Sequence, residues 1–245
     1  MFFNLNTIPE PNASGKKNRF DKTDLAKMQG YSLSEKKWKV MDLIADLDNF
    51  TYGKWYVSFS GGKDSEVAVD MAARFIQKRN DMINTMKGLT DTTPQELTVV
   101  HVMTGLEYQS VHQFVPYFCD FVSQKYGVKI NLKTLYPNPN KNFVNTLTKE
   151  GYPLISKEVS QCIYEARKGL EKGDGSYQYR LEKLNGTHKD KDGKLSPYNM
   201  QAYKPLLYIP VRISHKCCYN TKKEPAYEFE KTTGMVPLLA TTAEE

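Results

Sequence analysis

The residues best suited to chemistry in this chain form the segment Ser-Gly-Gly-Lys-Asp-Ser, which follows a short apolar run. Its two glycines permit a sharp turn and leave room for a ligand beside the backbone amides. A helix beginning directly after them directs unpaired N–H groups and a positive dipole end at such a ligand. The hydroxyls and the lysine add donors and positive charge, so the pattern favours a phosphate or sulfate site. The six residues are Ser60, Gly61, Gly62, Lys63, Asp64 and Ser65.

Asp64 is the residue that an anion site does not explain by itself. Its carboxylate fits there if it caps the helix, or if it holds Mg²⁺ against a polyphosphate. The spacing is neither that of the Walker loop nor that of the dinucleotide-binding glycine motif. A plain tight turn with a capping aspartate is the simpler interpretation, but the flanking serines and the strand-to-helix frame favour the anion site.

The periodicity around this segment predicts an α/β fold. The predicted strands span 55–59, 97–102, 128–135 and 236–240, and the predicted helices span 34–48, 66–78, 111–126, 143–149 and 156–168. Strand and helix alternate, which predicts a parallel twisted sheet with helices on both faces. In the helix after the loop, we expect Val67, Met71 and Phe75 to face inward because they recur every four residues.

Two loops of this sheet are expected to meet at one site. Ligands of such sheets bind beyond the carboxyl ends of the strands. The segment TGLEY at 104–108 follows the second predicted strand, as SGGKDS follows the first. We therefore expect both loops to lie at the same edge, with Leu106 and Tyr108 in the core.

The remaining segments predict one domain with an arm. Residues 1–33 are polar and form a loosely attached arm, and residues 34–245 form a single α/β domain. Residues 80–96 are a polar insertion. Residues 171–204 lack clear periodicity and are expected to be a long surface loop or flexible lid. The segment 213–234 is a turn followed by a helix that Gly234 caps.

Composition sets broad limits on function. With 40% hydrophobic and 25% charged residues, the 245-residue chain is typical of a soluble globular protein. The net charge of +6 favours polyanionic partners such as nucleotides. Nucleic acid is only weakly supported as a partner, because no surface motif of basic and aromatic residues stands out. No apolar run has the length of a membrane span, so we expect a cytoplasmic protein.

The four cysteines favour a reducing compartment. Cys119 and Cys162 lie within apolar helical patterns and are expected to be buried core thiols. Cys217 and Cys218 are adjacent, which is a poor arrangement for a structural disulfide.

Five motifs in order resemble the phosphoadenosine phosphosulfate reductase family, within the PP-loop, adenine-nucleotide α-hydrolase-like superfamily. The likeness runs from about residue 35 to the last residue. The motifs are SFSGGKDS at 58–65, TGLEY at 104–108, GYPLISKEVS at 151–160, KCCYNTKKEP at 216–225 and TTGMVPLLATTAEE at 232–245.

This resemblance implies a nucleotide site and a reaction. The expected ligand is phosphoadenylyl sulfate, adenylyl sulfate or ATP, with its phosphate or sulfate end in the SGGKDS loop. The implied reaction is thiol-dependent reduction of a sulfonucleotide to sulfite, with a thioredoxin-like reductant or a partner chain. The residues implied to bind the nucleotide or its anionic end are Ser58, Ser60, Gly61, Gly62, Lys63, Asp64, Ser65, Thr104, Gly105, Glu107, Lys157, Lys222 and Lys223. For Lys157, a solvated lysine at the start of a helix is an equally good interpretation.

The chain departs from the family at two kinds of site. The family's nucleophilic cysteine, carried on a C-terminal segment, has no counterpart here, so no catalytic residue is assigned. Relatives pair a Cys-Cys like that of Cys217 and Cys218 with a later Cys-x-x-Cys to bind a [4Fe–4S] cluster, which needs four thiolates. We therefore do not expect this chain alone to form the cluster, and three interpretations of Cys217 and Cys218 stay open: a vestigial pair, a redox-active pair, or half of an Fe–S site that another chain completes. Met103 also replaces a polar residue of many relatives.

Two other functions stay open at this point. One is an ATP pyrophosphatase that adenylates a substrate for sulfur transfer to nucleic acid, with Mg²⁺ held by Asp64. The other is a nucleotide-binding subunit without turnover, which needs a partner chain or the rest of a longer protein. The sequence does not predict the oligomeric state.

Overall fold

In the computed structural model, which describes residues 22–85, 93–173 and 175–241, four parallel strands form one sheet. The strands are β1 (Trp55–Ser58), β2 (Leu97–Val102), β3 (Ile130–Leu135) and β4 (Val236–Leu238). Their order across the sheet is β3-β2-β1-β4. The helices are α1 (Lys22–Gln29), α2 (Leu33–Thr51), α3 (Lys63–Thr85), α4 (Gln109–Tyr126), α5 (Phe143–Glu150), α6 (Lys157–Lys172), α7 (Gln178–Asn185) and α8 (Glu224–Thr233).

The strand register brings the carboxyl ends of β1 and β2 to the same edge. Val57 pairs with Val99 across β1 and β2, and with Leu238 across β1 and β4. The segments that follow β1 and β2 therefore leave the sheet side by side. This confirms the predicted α/β fold with a parallel sheet and surrounding helices, and it sets the place where the two loops can meet.

The main core lies between the sheet and helices α2, α3 and α4. Trp55, Val57 and Phe59 are almost fully buried there and pack with residues of all three helices. Burying a side chain of this size contributes about 1.5–3 kcal/mol to folding. The buried Asp48 joins these layers, because it accepts a hydrogen bond of 2.8 Å from the Trp55 indole and forms an ion pair with Arg79. The strand that precedes the SGGKDS loop is therefore held on a rigid base.

The inward face of α3 differs from the sequence prediction. Val69, Ala72, Ala73 and Ile76 are fully buried, whereas Val67 is 60% exposed. Val67 is two residues from Val69, which places it about 200° around the helix and away from the core. The prediction for Val67 was wrong because the four-residue spacing alone did not decide which of two apolar stripes faces the sheet.

Leu106 and Tyr108 were also wrongly predicted to lie in the core. They are 58% and 83% exposed, because the loop after β2 turns outward before α4 begins at Gln109. Trp38 of α2 is likewise exposed, while Ile44 of the same helix is buried.

A second hydrophobic cluster includes residues from the segment expected to be irregular. Helix α7 lies within 171–204, and the 3₁₀ turn Gln201–Leu207 begins within that segment and ends just after it. Both elements pack on α6. Leu184 is fully buried against α6 residues such as Cys162 and Ile163. The expectation of an irregular surface loop was therefore wrong for these parts of the segment.

Arg167 of α6 ties this cluster to the chain that follows it. Its guanidinium donates hydrogen bonds to the carbonyl oxygens of Leu206, Leu207, Ile209 and Val211, at 2.6, 3.1, 2.9 and 2.5 Å. These carbonyl groups belong to a segment with little regular structure, so a single side chain satisfies several of its backbone acceptors.

Parts of several predicted segments fall outside the described residues, among them residue 174 of the segment 171–204 and residues 242–245 of the last motif. Of the expected arm, residues 1–21 are outside, and the described remainder contains α1. Of the expected insertion at 80–96, α3 continues through Thr85 and residues 86–92 are outside. Within the described ranges, no helix combines the length and apolar character needed to cross a bilayer.

Candidate functional site

The SGGKDS loop is held in shape by its own serines. Ser65 is buried, and its hydroxyl donates to the carbonyl of Gly62 at 2.7 Å and accepts from the amide of Ser60 at 3.3 Å. The hydroxyls of Ser60 and Ser65 lie 3.1 Å apart. Hydrogen bonds within the loop therefore fix its shape before any ligand binds, and Ser65 takes part in most of them.

Gly61 is required by the backbone of this loop. Its φ of +81° lies in the left-handed region that favours glycine. A Cβ atom at this position would lie 3.0 Å from Cγ1 of Val111 and 3.4 Å from Cγ2 of Val115. The glycine lets the loop close tightly over α4 and aims the following amides away from the core.

The first turn of α3 presents free amides to solvent. The helix begins at Lys63, and the amide of Glu66 donates to Gly62 at 3.0 Å. The amides of Lys63, Asp64 and Ser65 have no hydrogen-bond acceptor among the described residues, as expected for the first turn of a helix. Lys63 and Asp64 are exposed beside them. This is the arrangement that binds an oxyanion.

The second loop is closed by its own glutamate. The carboxylate of Glu107 accepts hydrogen bonds from the amides of Thr104, Gly105 and Leu106 at 3.0, 3.0 and 3.2 Å. It also accepts one from the Thr104 hydroxyl at 2.6 Å. Partial burial raises the pKa of Glu107, but these donors outweigh it and lower the pKa to about 2. Glu107 is therefore ionised and occupies the anion-binding amides of its own loop.

A cavity of about 400 Å³ opens where these loops leave the sheet, and we call it the sheet-edge cavity. It is bounded by the ends of β1 and β2, the loop after β2, the start of α8 and the residues after β4. The residues around it are Tyr56, Ser58, Phe59, Ser60, His101, Val102, Glu107, Lys222, Lys223, Ala226, Tyr227, Glu230, Pro237 and Leu239.

Lys222 and Lys223 reach the cavity because of a local irregularity in the chain. They end a π-helical turn, Tyr219–Lys223, that continues directly into α8. Such turns are rare and often lie at functional sites. Both lysines are exposed. The structure thus brings Ser58, Ser60 and the two lysines around one cavity, although they are far apart in the chain.

Several cavity residues were not found from the sequence. The hydroxyl of Tyr56 donates to Glu230 Oε1 at 2.8 Å, and its ring packs edge-on against Phe229 at 5.4 Å. Burial and the nearby Glu230 carboxylate raise the pKa of Tyr56. These contacts join β1 to α8 across 174 positions of the chain, so no local pattern could indicate them.

His101 is a second residue that sequence reasoning missed. It is 2% exposed, and its Nδ1 lies 2.8 Å from the carbonyl oxygen of Phe59. A carbonyl oxygen accepts only, so Nδ1 carries a proton. Nε2 is buried and has no partner among the described residues. A histidine within an apolar strand was the only signal that could have indicated it.

Other predicted site residues lie elsewhere. Lys157 is at the start of α6 and borders a different pocket, between α5 and α6. Thr104 and Gly105 hold the second loop together but do not border the sheet-edge cavity. Gly62, Lys63, Asp64 and Ser65 also lie outside its lining. The loop therefore faces the cavity through Ser60.

The cysteines fall into two groups. Cys119 and Cys162 are buried, as predicted, and burial raises the pKa of both thiols, that of Cys119 to about 12. Cys217 and Cys218 are half-buried just before the π-helical turn. Among the described residues, no three His, Cys, Asp or Glu side chains are grouped so that they could hold a metal ion.

Comparison with known protein families gives one match. Residues 54–169 match the family model described as the phosphoadenosine phosphosulfate reductase domain. This part of the chain therefore carries the phosphoadenosine phosphosulfate reductase domain, which belongs to the PP-loop superfamily. The matched range contains β1, the SGGKDS loop and the Glu107 loop, and it ends within α6. The matched domain supports a PP-loop nucleotide-binding protein of that family. No curated protein and no solved structure matches it.

Proposed function

We propose that the sheet-edge cavity binds an adenine nucleotide, with the phosphate or sulfate end against the SGGKDS loop. The observation that carries this proposal is the meeting of Ser60 with Lys222 and Lys223 around one cavity. The free amides at the start of α3 follow Ser60 in the chain, beginning at Lys63. Amides at a helix start and two lysines are groups that bind the anionic end of a nucleotide.

The rest of the cavity suits the nucleoside part. Tyr227 and Leu239 offer apolar surface for a flat base, and His101, Tyr56 and Glu230 offer polar groups. Small-molecule sites generally combine apolar walls with a few placed polar groups. A volume of about 400 Å³ lies within the range of such sites.

We propose thiol-dependent reduction of a sulfonucleotide to sulfite as the reaction. A thiolate attacks the sulfur, the S–O bond to the nucleotide phosphate breaks, and the phosphate oxygen leaves with the bond's electrons. The loop amides and the two lysines stabilise the charge on that oxygen. A second thiol then releases sulfite as a disulfide forms.

Neither buried cysteine is suited to be the nucleophile, because the raised pKa of Cys119 and of Cys162 keeps each protonated. A thioredoxin-like reductant or a partner chain is the proposed source of the thiol.

Asp64 supports a second candidate, the adenylation of a substrate by ATP with release of pyrophosphate. Its carboxylate is exposed at the loop and accepts no hydrogen bond from the described residues. Mg²⁺ typically binds one or two carboxylates together with phosphate oxygens of the substrate. In this candidate, Asp64 would hold Mg²⁺, and the ion would supply positive charge to the pyrophosphate leaving group. Sulfur transfer to nucleic acid is one use of such an adenylate.

Calorimetric titration separates these candidates. The ligands are adenylyl sulfate, its 3′-phosphorylated form and ATP with Mg²⁺. We expect a sulfonucleotide to bind and to lose about tenfold in affinity in Lys222→Gln, because one charge-assisted hydrogen bond is removed. Lys172→Gln, at the far end of α6, serves as the control and leaves binding unchanged.

The outcomes point in different directions. Sulfonucleotide binding with thioredoxin-dependent sulfite release supports the reductase. ATP binding that requires Mg²⁺ and is lost in Asp64→Asn, with pyrophosphate release, supports adenylation. Nucleotide binding without either product indicates a binding subunit. If no nucleotide binds, the proposed function is wrong.

A further inference from the structure

A larger pocket lies between α5, α6 and the π-helical turn, and we call it the α5–α6 pocket. Its volume is about 620 Å³. The residues around it are Asn140, Lys141, Asn145, Thr146, Lys149, Glu150, Lys157, Gln161, His215, Lys216, Tyr219, Asn220 and Lys223. Neither the SGGKDS loop nor the Glu107 loop contributes to it. Lys223 borders both this pocket and the sheet-edge cavity, so the two lie next to each other.

The charge of this pocket is strongly positive. Five lysines and one glutamate line it. Lys216 pairs with that glutamate, Glu150, at 2.8 Å, and Lys141 pairs with Glu224 at 2.5 Å. The other three lysines have no carboxylate within ion-pair distance in the part of the chain that the structure describes. They are Lys149, Lys157 and Lys223. Three cations gathered around one concavity without counter-charges are an electrostatic cost unless an anion binds there.

The N-terminal part of α6 adds to this potential. Lys157 is the first residue of this 16-residue helix, and Gln161, one turn later, lines the pocket on the same face. The positive end of the helix dipole therefore lies beside the pocket. Nδ1 of His215 is a buried polar atom without a hydrogen-bond partner among the described residues. A ligand in the pocket can provide that partner.

The walls of the pocket are fixed by close backbone contact. Gly151 has a φ of +117°, and a Cβ atom there would lie 2.4 Å from the carbonyl oxygen of Arg212. Tyr152 and Ile213 pair in a short parallel bridge directly after it. Across the pocket, the Asn220 amide donates to the Thr146 hydroxyl at 3.2 Å. The backbone that carries the lysines is therefore fixed by contacts within the protein, as expected of a preformed binding site.

We propose that the α5–α6 pocket binds a small organic molecule through a phosphate or sulfate group, at a site separate from the SGGKDS loop. Lys149 and Lys157 hold the oxyanion, and the pocket exceeds the space that a single ion needs. The inference deepens the proposed function and rests on it in one respect, that the neighbouring cavity holds the nucleotide. The phosphorylated group belongs either to the far end of that nucleotide or to a second substrate beside it.

Titration with inorganic phosphate tests this inference. Phosphate is added to the full chain alone and to the full chain saturated with adenosine 5′-monophosphate. We expect one phosphate site to remain in the saturated protein. Its affinity falls about tenfold in Lys149→Gln and in Lys157→Gln, because each removes one charge-assisted contact. Lys172→Gln, on the same helix but outside the pocket, keeps the wild-type affinity. Equal thermal unfolding temperatures of all variants exclude misfolding.

Competition identifies the source of the oxyanion. If adenosine 3′,5′-bisphosphate displaces phosphate and the monophosphate does not, the group belongs to the nucleotide. If neither displaces it, a second substrate carries it. Both results support the oxyanion site. Phosphate binding that the monophosphate abolishes, or that both lysine variants leave unchanged, overturns the inference. If the monophosphate itself does not bind but Lys157-dependent phosphate binding persists, the proposed nucleotide site fails and this site stands.

Discussion

Glu107 shows how a single side chain fixes a loop at the site. Its carboxylate accepts hydrogen bonds from three backbone amides and one hydroxyl. It therefore takes the place of an anionic ligand that such amides otherwise bind. In the proposed nucleotide site, the ligand therefore faces this carboxylate rather than the loop amides. The sequence motif predicts that Glu107 binds the nucleotide, and in the structure its carboxylate forms hydrogen bonds within its own loop.

Glu107→Gln is expected to destabilise the protein by about 1–2 kcal/mol, because a neutral amide group cannot accept all four hydrogen bonds. Chemical denaturation monitored by circular dichroism measures the difference. Glu96→Gln is the matched control, since Glu96 forms only an exposed ion pair with Lys129 and such pairs contribute little. Equal losses in the two variants would show that the Glu107 hydrogen bonds are not special.

The low pKa of Glu107 gives this contribution a defined pH dependence. A carboxyl group whose folded pKa is lowered stabilises the fold while it is ionised, above its unfolded pKa. The contribution is lost as the pH falls from about 4.5 toward the folded pKa of about 2. We expect the difference in unfolding free energy between wild type and Glu107→Gln to be constant above pH 5 and to shrink below pH 4. A difference that does not change with pH contradicts the assignment.

At the scale of elements, the connection between β1 and α3 depends on one glycine. Gly61→Ala is expected to cost about 1–2 kcal/mol, because alanine must adopt a left-handed conformation there. The new methyl group also presses on Val111. Gly62→Ala is the control, since its Cβ has only an ordinary contact of 3.5 Å with Ser60, and we expect a change within about 0.5 kcal/mol. Denaturant unfolding of both variants measures their stability. A loss in Gly61→Ala alone shows that the left-handed turn requires glycine, whereas equal losses show that replacing either glycine has the same effect.

Helix α6 contacts the segment 206–213 through Arg167. Arg167→Met removes the donors of four backbone carbonyl groups, and we expect a loss of about 2–3 kcal/mol. Hydrogen exchange should be faster in Arg167→Met than in the wild type, and this increase should be larger in the segment 206–213 than in the sheet. Lys172→Met on the same helix is the control, with an expected change of about 0.5 kcal/mol or less. Unchanged exchange in 206–213 would mean that other contacts hold this segment.

At the scale of the whole molecule, local patterns predicted the elements and long-range contacts produced the site. The sheet and the SGGKDS turn follow from the apolar runs and glycines of neighbouring residues. The face of α3 was misjudged at Val67, because two apolar stripes fit the same period. Helix α7 was missed because Leu184 is the only buried residue within it. The partners of Tyr56 and the place of Lys223 between two pockets depend on how distant segments fold together.

The contact between Tyr56 and Glu230 tests this long-range assembly directly. It joins the strand before the SGGKDS loop to the helix after Lys223, and it lies at the sheet-edge cavity. In a double-mutant cycle of Tyr56→Phe and Glu230→Gln, we expect a coupling energy of about 1.5–3 kcal/mol, the value for a hydrogen bond to a charged group. The exposed pair of Lys129 and Glu96 provides the comparison, with coupling below about 0.5 kcal/mol. Coupling no larger than in that pair would mean that α8 is held in place by apolar packing, such as that of Phe229, and that the cavity does not depend on this hydrogen bond.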